Sequence, residues 1–409
     1  MRRLVGVLVA VGLALGVVSA GPASAAIDSS GSAVILPPDQ DPFYVPPADY
    51  GSRPNGTVLR SREITALAYV MPIPVHAYQV LYKSVDGHGA PVAEAATVLV
   101  PYTSWTGPGT RPLVSYQIAD DSLSTRCQPS YTLRVGIGSP TGVGSYEVSM
   151  SYQALLRGYA IVYADYEGPH SQFAAGPQAA HGVLDGMRAV LHHAPAGLDP
   201  NTKITLWGYS GGGLATTWAA EQQGSYAPEL NVVGAAAGGV PAELGAMLRH
   251  NNGNLGAGLA LLGVIGLARA YPESGVYGIL NDRGRALFAT NEDACTLDVA
   301  VLHPFDRIEN YTTIADPIDS PQARFLIDTN NPGQATPRMP YYNYEALQDE
   351  FVPAALADGL LKDYCADGGT VKKVRIPFSG HITGEVQGGP GALQFLADRV
   401  AGKPVTSDC

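Results

Sequence analysis

The run Gly208-Tyr209-Ser210-Gly211-Gly212-Gly213 constrains this chain more than any other stretch. It follows a short apolar segment, Ile204 to Trp207, and precedes the helix-prone stretch Leu214 to Gln222. A strand is therefore expected to turn sharply into a helix with a serine at the apex. A serine hydroxyl is a weak nucleophile, so chemistry there needs a base within reach and a turn that offers the next backbone N–H to a developing oxyanion. Side chains at positions 208 and 212 would block close packing of strand on helix, which glycine avoids. Ser210 is the only serine that fits the Gly-x-Ser-x-Gly pattern, and its strand-to-helix setting separates it from a glycine-rich turn with an incidental serine.

The first residues are set apart from the fold. Arg2-Arg3, the apolar run Leu4 to Val18 and Ala23-Ser24-Ala25 read as a signal peptide over 1–25 with an A-x-A cleavage site. The run is short for a permanent span, so no membrane anchor is expected after its removal, and the protein is expected to be secreted. A net charge of −11 without a basic cluster speaks against a nucleic-acid partner. None of Cys127, Cys295, Cys365 and Cys409 lies in a CxxC pair. Export therefore favours two disulfides over a metal site, with three pairings open.

Ile27 to Pro54, rich in Pro, Asp and Tyr without periodicity, reads as an extended arm. Val75 to Val85 and Val92 to Val100 form a hairpin signature around Asp86-Gly87-His88-Gly89, with His88 facing solvent. Leu113 to Ile118, Tyr159 to Ala164, Ile204 to Trp207 and Asn231 to Ala236 read as buried strands, with a helix from Gln178 to His192 between the second and third. Strands alternating with helices imply crossover connections and a mainly parallel sheet, an α/β fold. After Gly238-Gly239 the pattern turns helical up to about Arg338. Its apolar run Leu255 to Ala268 is read as a buried helix of a cap, in preference to an exposed lipid-seeking face. Strand character resumes at Tyr341 to Leu347.

Catalytic groups in such sheets gather at the carboxyl ends of strands, here in the order serine, acid, histidine. Tyr341 to Leu347 ends at Gln348-Asp349-Glu350, and Val371 to Phe378 ends at Ser379-Gly380-His381. Of nine histidines only His381 lies beyond the acid. His381 is the expected base and Asp349 its orienting acid, with Glu350 as competitor and a helix cap as the plain alternative for Asp349. The oxyanion hole is expected from the N–H of Gly211 and, after an early strand, from Asp121, which could equally be a turn residue.

These residues, with Asp41-Pro42-Phe43-Tyr44, Gly56-Thr57-Val58-Leu59-Arg60-Ser61-Arg62, Tyr116-Gln117, Cys127-Gln128-Pro129-Ser130-Tyr131, Asp165-Tyr166-Glu167-Gly168, Leu184-Asp185-Gly186, Tyr226-Ala227-Pro228-Glu229-Leu230, Val352-Pro353 and Cys365-Ala366, resemble the secretory lipase family. The resemblance runs from about Asp41 to Cys409. It implies an α/β-hydrolase fold with an inserted helical cap, and a triad matching Ser210, Asp349 and His381. It also implies an oxyanion hole matching Asp121 and Gly211, and disulfides matching Cys127 to Cys295 and Cys365 to Cys409.

The expected organisation is a signal peptide (1–25), an arm (26–60), the first part of the core (61–239), the cap (240–338) and the second part of the core (339–409). The expected activity is that of a secreted serine lipase or carboxylesterase, acting on acyl esters through an acyl-enzyme without metal or organic cofactor. Its partner is an ester or lipid substrate, met in solution or at a lipid–water interface. An acyltransferase or peptidase with the same triad, or a non-catalytic lipid-binding protein of this fold, is the alternative. Chain-length preference and oligomeric state stay open.

Overall fold

The computed structural model describes residues 35–136 and 143–409, so the expected leader and the first residues of the arm lie outside it. Its strands are β1 (Val58–Ile64), the two-residue β2 (Leu67–Ala68) and β3 (Met71–Pro72), β4 (Val75–Val85), β5 (Pro91–Pro101), β6 (Leu113–Gln117), β7 (Ala160–Ala164), β8 (Ile204–Tyr209), β9 (Val232–Gly238), β10 (Tyr341–Ala346) and β11 (Val371–Ile376). Nine of them form one sheet in the order β1-β4-β5-β7-β6-β8-β9-β10-β11. The pairs β1·β4, β4·β5 and β5·β7 are antiparallel. Every pair from β7 to β11 is parallel.

The helices are α1 (Pro129–Val135), α2 (Val143–Leu156), α3 (Gly176–Leu191), α4 (Ser210–Tyr226), α5 (Leu244–Asn251), α6 (Ala257–Ala270), α7 (Val276–Ile279), α8 (Asp282–Thr290), α9 (Thr296–Leu302), α10 (Pro321–Asn330), α11 (Ala354–Ala366) and α12 (His381–Val400). Neighbouring residues of a strand point to opposite faces, and both faces of the sheet are covered. Val98 and Leu206 pack with Leu184 and Met187 of α3, Ala215 and Ala219 of α4 and Leu361 of α11. Their neighbours Leu99 and Trp207 pack on the other side with Leu133 of α1, Val148 of α2 and Leu393 and Leu396 of α12. Burial on two sides explains why these strands read as continuous apolar runs.

Between β9 and β10 the chain leaves the sheet and forms α5 to α10, joined by turns and by a single bridge between Leu280 and Thr312. Leu262, Ile265, Phe288, Val299 and Leu326 build the core of this insertion, with Phe173 reaching into it from the segment before α3. The disulfides are Cys127–Cys295 and Cys365–Cys409. The first joins α9 of the insertion to the segment before α1, and Leu36–Cys409 forms one compact unit.

Two details differ from the sequence reading. β1 is an edge strand of the main sheet, yet it begins inside the span expected for the arm. Its sequence VLRSREI is apolar only at its two ends, with charged and polar residues between, and none of it is fully buried, as an edge strand allows. The described part of the arm is not extended throughout. Pro42–Tyr44 and Tyr50–Ser52 are single 3₁₀ turns, Phe43 is buried, and Asp41 binds Arg62 at 2.7 Å. His88 is exposed at the hairpin tip, as read from the sequence, and its Nε2 lies 2.8 Å from Glu273 of the insertion.

Candidate active site

The β8–α4 junction carries the strain that the glycine-rich run implies. Ser210, the first residue of α4, has φ 55°, a left-handed conformation that a non-glycine residue adopts only when its surroundings enforce it. A side chain at Gly212 would overlap the Gln117 carbonyl, so only glycine lets α4 start this close to the end of β6.

The three expected side chains meet. His381 Nε2 lies 2.9 Å from Ser210 Oγ, and His381 Nδ1 lies 2.6 Å from Asp349 Oδ2. Asp349 follows β10 and His381 opens α12 after β11, so adjacent parallel strands deliver both to one edge of the sheet. The second oxygen of Asp349 accepts the N–H groups of Phe351 at 2.9 Å and Val352 at 2.7 Å. This leaves its first oxygen for the imidazole. Glu350, the competitor, faces elsewhere: its Oε2 accepts the backbone N–H of His381 at 2.9 Å. The Tyr209 hydroxyl donates to the His381 carbonyl at 2.8 Å, and the Tyr209 and Phe351 rings flank the imidazole. Burial by itself would depress the His381 pKa. The hydrogen bond and charge of Asp349, aided by Glu350 and Glu385, outweigh it and hold the pKa above the ordinary 6.5.

Asp121 lies beside Gly211 and Ser210. It is buried, has φ 44°, and its Oδ1 touches Gly211 so closely that a side chain at position 211 would overlap it. That oxygen has no hydrogen-bond partner, and burial pushes the carboxyl pKa up to about 7, although the charge of His381 pulls it back.

The loop bearing Asp121 is pinned from several sides. Ala119 N–H donates to Glu147 at 2.9 Å, the Tyr166 hydroxyl to the Ile118 carbonyl at 2.6 Å, and Ser122 N–H to Glu167 at 3.2 Å. From the insertion, Thr296 Oγ1 donates to the carbonyls of Asp120 at 2.6 Å and Asp121 at 3.0 Å. Tyr166 and Glu167 thus hold the Asp121 loop, a role their position after β7 does not reveal. Glu147 and Thr296 escaped sequence reasoning. The only signal for Thr296 is that it follows Cys295.

An apolar cavity of about 140 Å³ extends from Ser210, Gly211 and Asp121 into the insertion. Leu214, Leu244, Met247, Leu261, Val264 and Phe288 are among its walls. Helix α6 therefore has two faces: Leu262, Ile265 and Ala268 are buried in the insertion core, while Leu259, Gly263 and Val264 border the cavity. Among the described residues no cluster of three or more metal-ligating side chains forms, and no helix is long and apolar enough to cross a membrane.

Residues 135–408 match the secretory lipase family. The chain belongs to that family. As a secretory lipase it is a carboxylic ester hydrolase of the lipase and esterase type, built on the α/β-hydrolase fold. One secretory lipase relative is a probable inactive lipase of Mycobacterium tuberculosis, 38% identical over 379 residues, which cover 91% of this chain and 84% of that protein. Another is a secreted triacylglycerol lipase of Malassezia restricta, 34% identical over 389 residues, covering 90% of this chain and 80% of the relative. Among solved structures, Candida antarctica lipase A matches with a TM-score of 0.84 at 30% identity, over 92% of this chain and 89% of that one.

Proposed function

We propose that this secretory lipase hydrolyses acyl esters through a Ser210-His381-Asp349 triad and an acyl-enzyme intermediate. The observation that carries the reading is the unbroken hydrogen-bonded line from Asp349 through His381 to Ser210 Oγ at the end of an apolar cavity. His381 takes the Ser210 proton as Oγ attacks the ester carbonyl, and Asp349 holds the imidazole in the tautomer that accepts at Nε2. The Gly211 N–H and a protonated Asp121 carboxyl receive the oxyanion. Below its pKa of about 7 that buried carboxyl is a donor, and its unpartnered oxygen lies against Gly211. His381 then protonates the leaving alcohol, water attacks the acyl-enzyme, and the acid is released.

The cavity supplies the acyl site: its walls are hydrocarbon, so chain methylenes leave water as they enter. With the leader-like first residues and the family's secretory character, the natural substrate is an extracellular ester or lipid.

The relative described as probably inactive favours a second reading, a protein of this fold that binds acyl lipids without turning them over. The two separate on a series of p-nitrophenyl esters of increasing acyl length, comparing wild type with Ser210→Ala. The triad reading expects the variant to lose at least about 10⁴-fold in kcat and all labelling by a serine-directed phosphonate. Equal activity in both proteins removes Ser210 from the mechanism, and inert wild type favours the binding protein.

A further inference from the structure

Helix α5 touches two things at once. Its residues Leu244, Met247, Leu248 and Asn251 border the cavity. At its C-terminal end His250 Nε2 donates to the Glu350 carbonyl at 3.0 Å, and Asn251 Nδ2 donates to the Phe351 carbonyl at 3.0 Å. Both carbonyls belong to the short loop that begins at Asp349. Its inner side is held by Asp349 itself, which binds the Phe351 and Val352 N–H groups. Its outer side is held by α5. Asn251 is buried, and its Nδ2 also donates to the Met247 carbonyl at 3.0 Å, which fixes the side chain to its own helix. Glu350 adds a second connection, because its carboxylate holds the first N–H of the helix that begins with His381. A displacement of α5 therefore reaches the acid through the loop and the base through Glu350.

We propose that α5 couples filling of the cavity to the alignment of Asp349 and His381, with His250 and Asn251 as positioning residues. This rests on the triad and acyl-site reading above. An acyl chain lying against Leu244, Met247 and Leu248 seats the helix, and the two hydrogen bonds seat the acid loop. A short acyl group leaves the helix untouched and gains nothing from it. Small displacements matter here because a misplacement of about 1 Å can cost on the order of 10²-fold in rate.

The experiment compares wild type, His250→Ala, His250→Gln and Asn251→Ala on p-nitrophenyl acetate and p-nitrophenyl laurate. For His250→Ala and Asn251→Ala, kcat on laurate is expected to fall about tenfold, the equivalent of about 1.4 kcal/mol. For His250→Ala, whose side chain is not part of the cavity wall, kcat on acetate should change by no more than about twofold, and KM should hold within about twofold for both esters. His250→Gln restores a donor of similar reach and should regain most of the laurate rate. In His250→Ala, equal losses on the two esters, a change carried by KM, or no loss at all overturns the proposal, as does a His250→Gln variant as slow as His250→Ala. Asn251 is buried and its variant can lose stability, so its melting temperature is measured and the half-buried His250 pair decides alone if it does not fold. Ser210→Ala is assayed in parallel, and a Ser210→Ala protein as active as wild type points to failure of the triad reading rather than of the coupling.

Discussion

Burial sets Asp121 and His381 on a collision course in pH. It lifts the Asp121 carboxyl to about 7, while the Asp349 contact holds His381 above 6.5 against its own burial. In the proposed mechanism His381 must be neutral to accept a proton and Asp121 must be protonated to donate one. Activity should therefore fall in acid as His381 charges and fall again above neutrality as Asp121 ionises, a narrow bell. Asp121→Asn keeps a donor and cannot ionise. Its kcat/KM profile should lose the alkaline limb while the acid limb stays. An alkaline limb that survives in the asparagine variant would assign that limb to another group. Ser210, His381 and Asp349 were readable in the sequence as candidates because each sits just past a strand. The state of Asp121 was not, since it depends on how completely neighbours distant in sequence exclude water.

At the scale of elements, the loop after β6 that carries Asp121 is held by α2, by the segment after β7 and by α9, so core and insertion share in fixing it. The disulfide Cys127–Cys295 closes a sequence separation of 168 residues beside that loop. Replacing both cysteines by serine should cost roughly 2–5 kcal/mol, measured by urea unfolding. It should also lower kcat more than it raises KM, because Thr296 no longer has a fixed base. A double variant with unchanged kcat would show that Thr296 holds the loop unaided. The hairpin β4–β5 and the strands β6 to β9 were legible from their apolar, β-prone runs, and β1 was missed because charged and polar residues fill its middle. The pairing of four cysteines stayed open on residues alone, and the grip of α5 on the acid loop runs to backbone carbonyls, which carry no sequence signature.

For the whole molecule, the balance of buried acids sets stability against pH. Asp165, Glu221 and Glu385 are pushed up to about 7 and Glu345 to about 8, mainly by burial, and Asp120, Glu147 and Glu167 are raised too. The folded state holds protons on these groups that the unfolded chain releases. Their contribution is complete below the unfolded value of about 4 and is lost as pH rises through about 7 to 8. Ion-paired acids such as Asp41 and Asp358 act in the opposite sense, lowered in the fold and lost only in stronger acid. The melting temperature should therefore be higher near about pH 5 than near about pH 8, on the acid side of the activity maximum. A melting temperature that rises steadily to pH 8 would mean that these carboxyls ionise freely in the fold.

The insertion leaves from the end of β9 and returns at the start of β10, two strands that lie side by side and in parallel register from Ala235 opposite Tyr341. Such a seam allows recombination to exchange the entire segment without disturbing the sheet, so substrate range and chemistry can be inherited separately. The exchange is not free of obligation, because a transplanted segment brings its own chamber to a foreign acid loop. A donor would need hydrogen-bonding side chains where His250, Asn251 and Thr296 stand, and a cysteine to meet Cys127, to arrive with the two halves already in step.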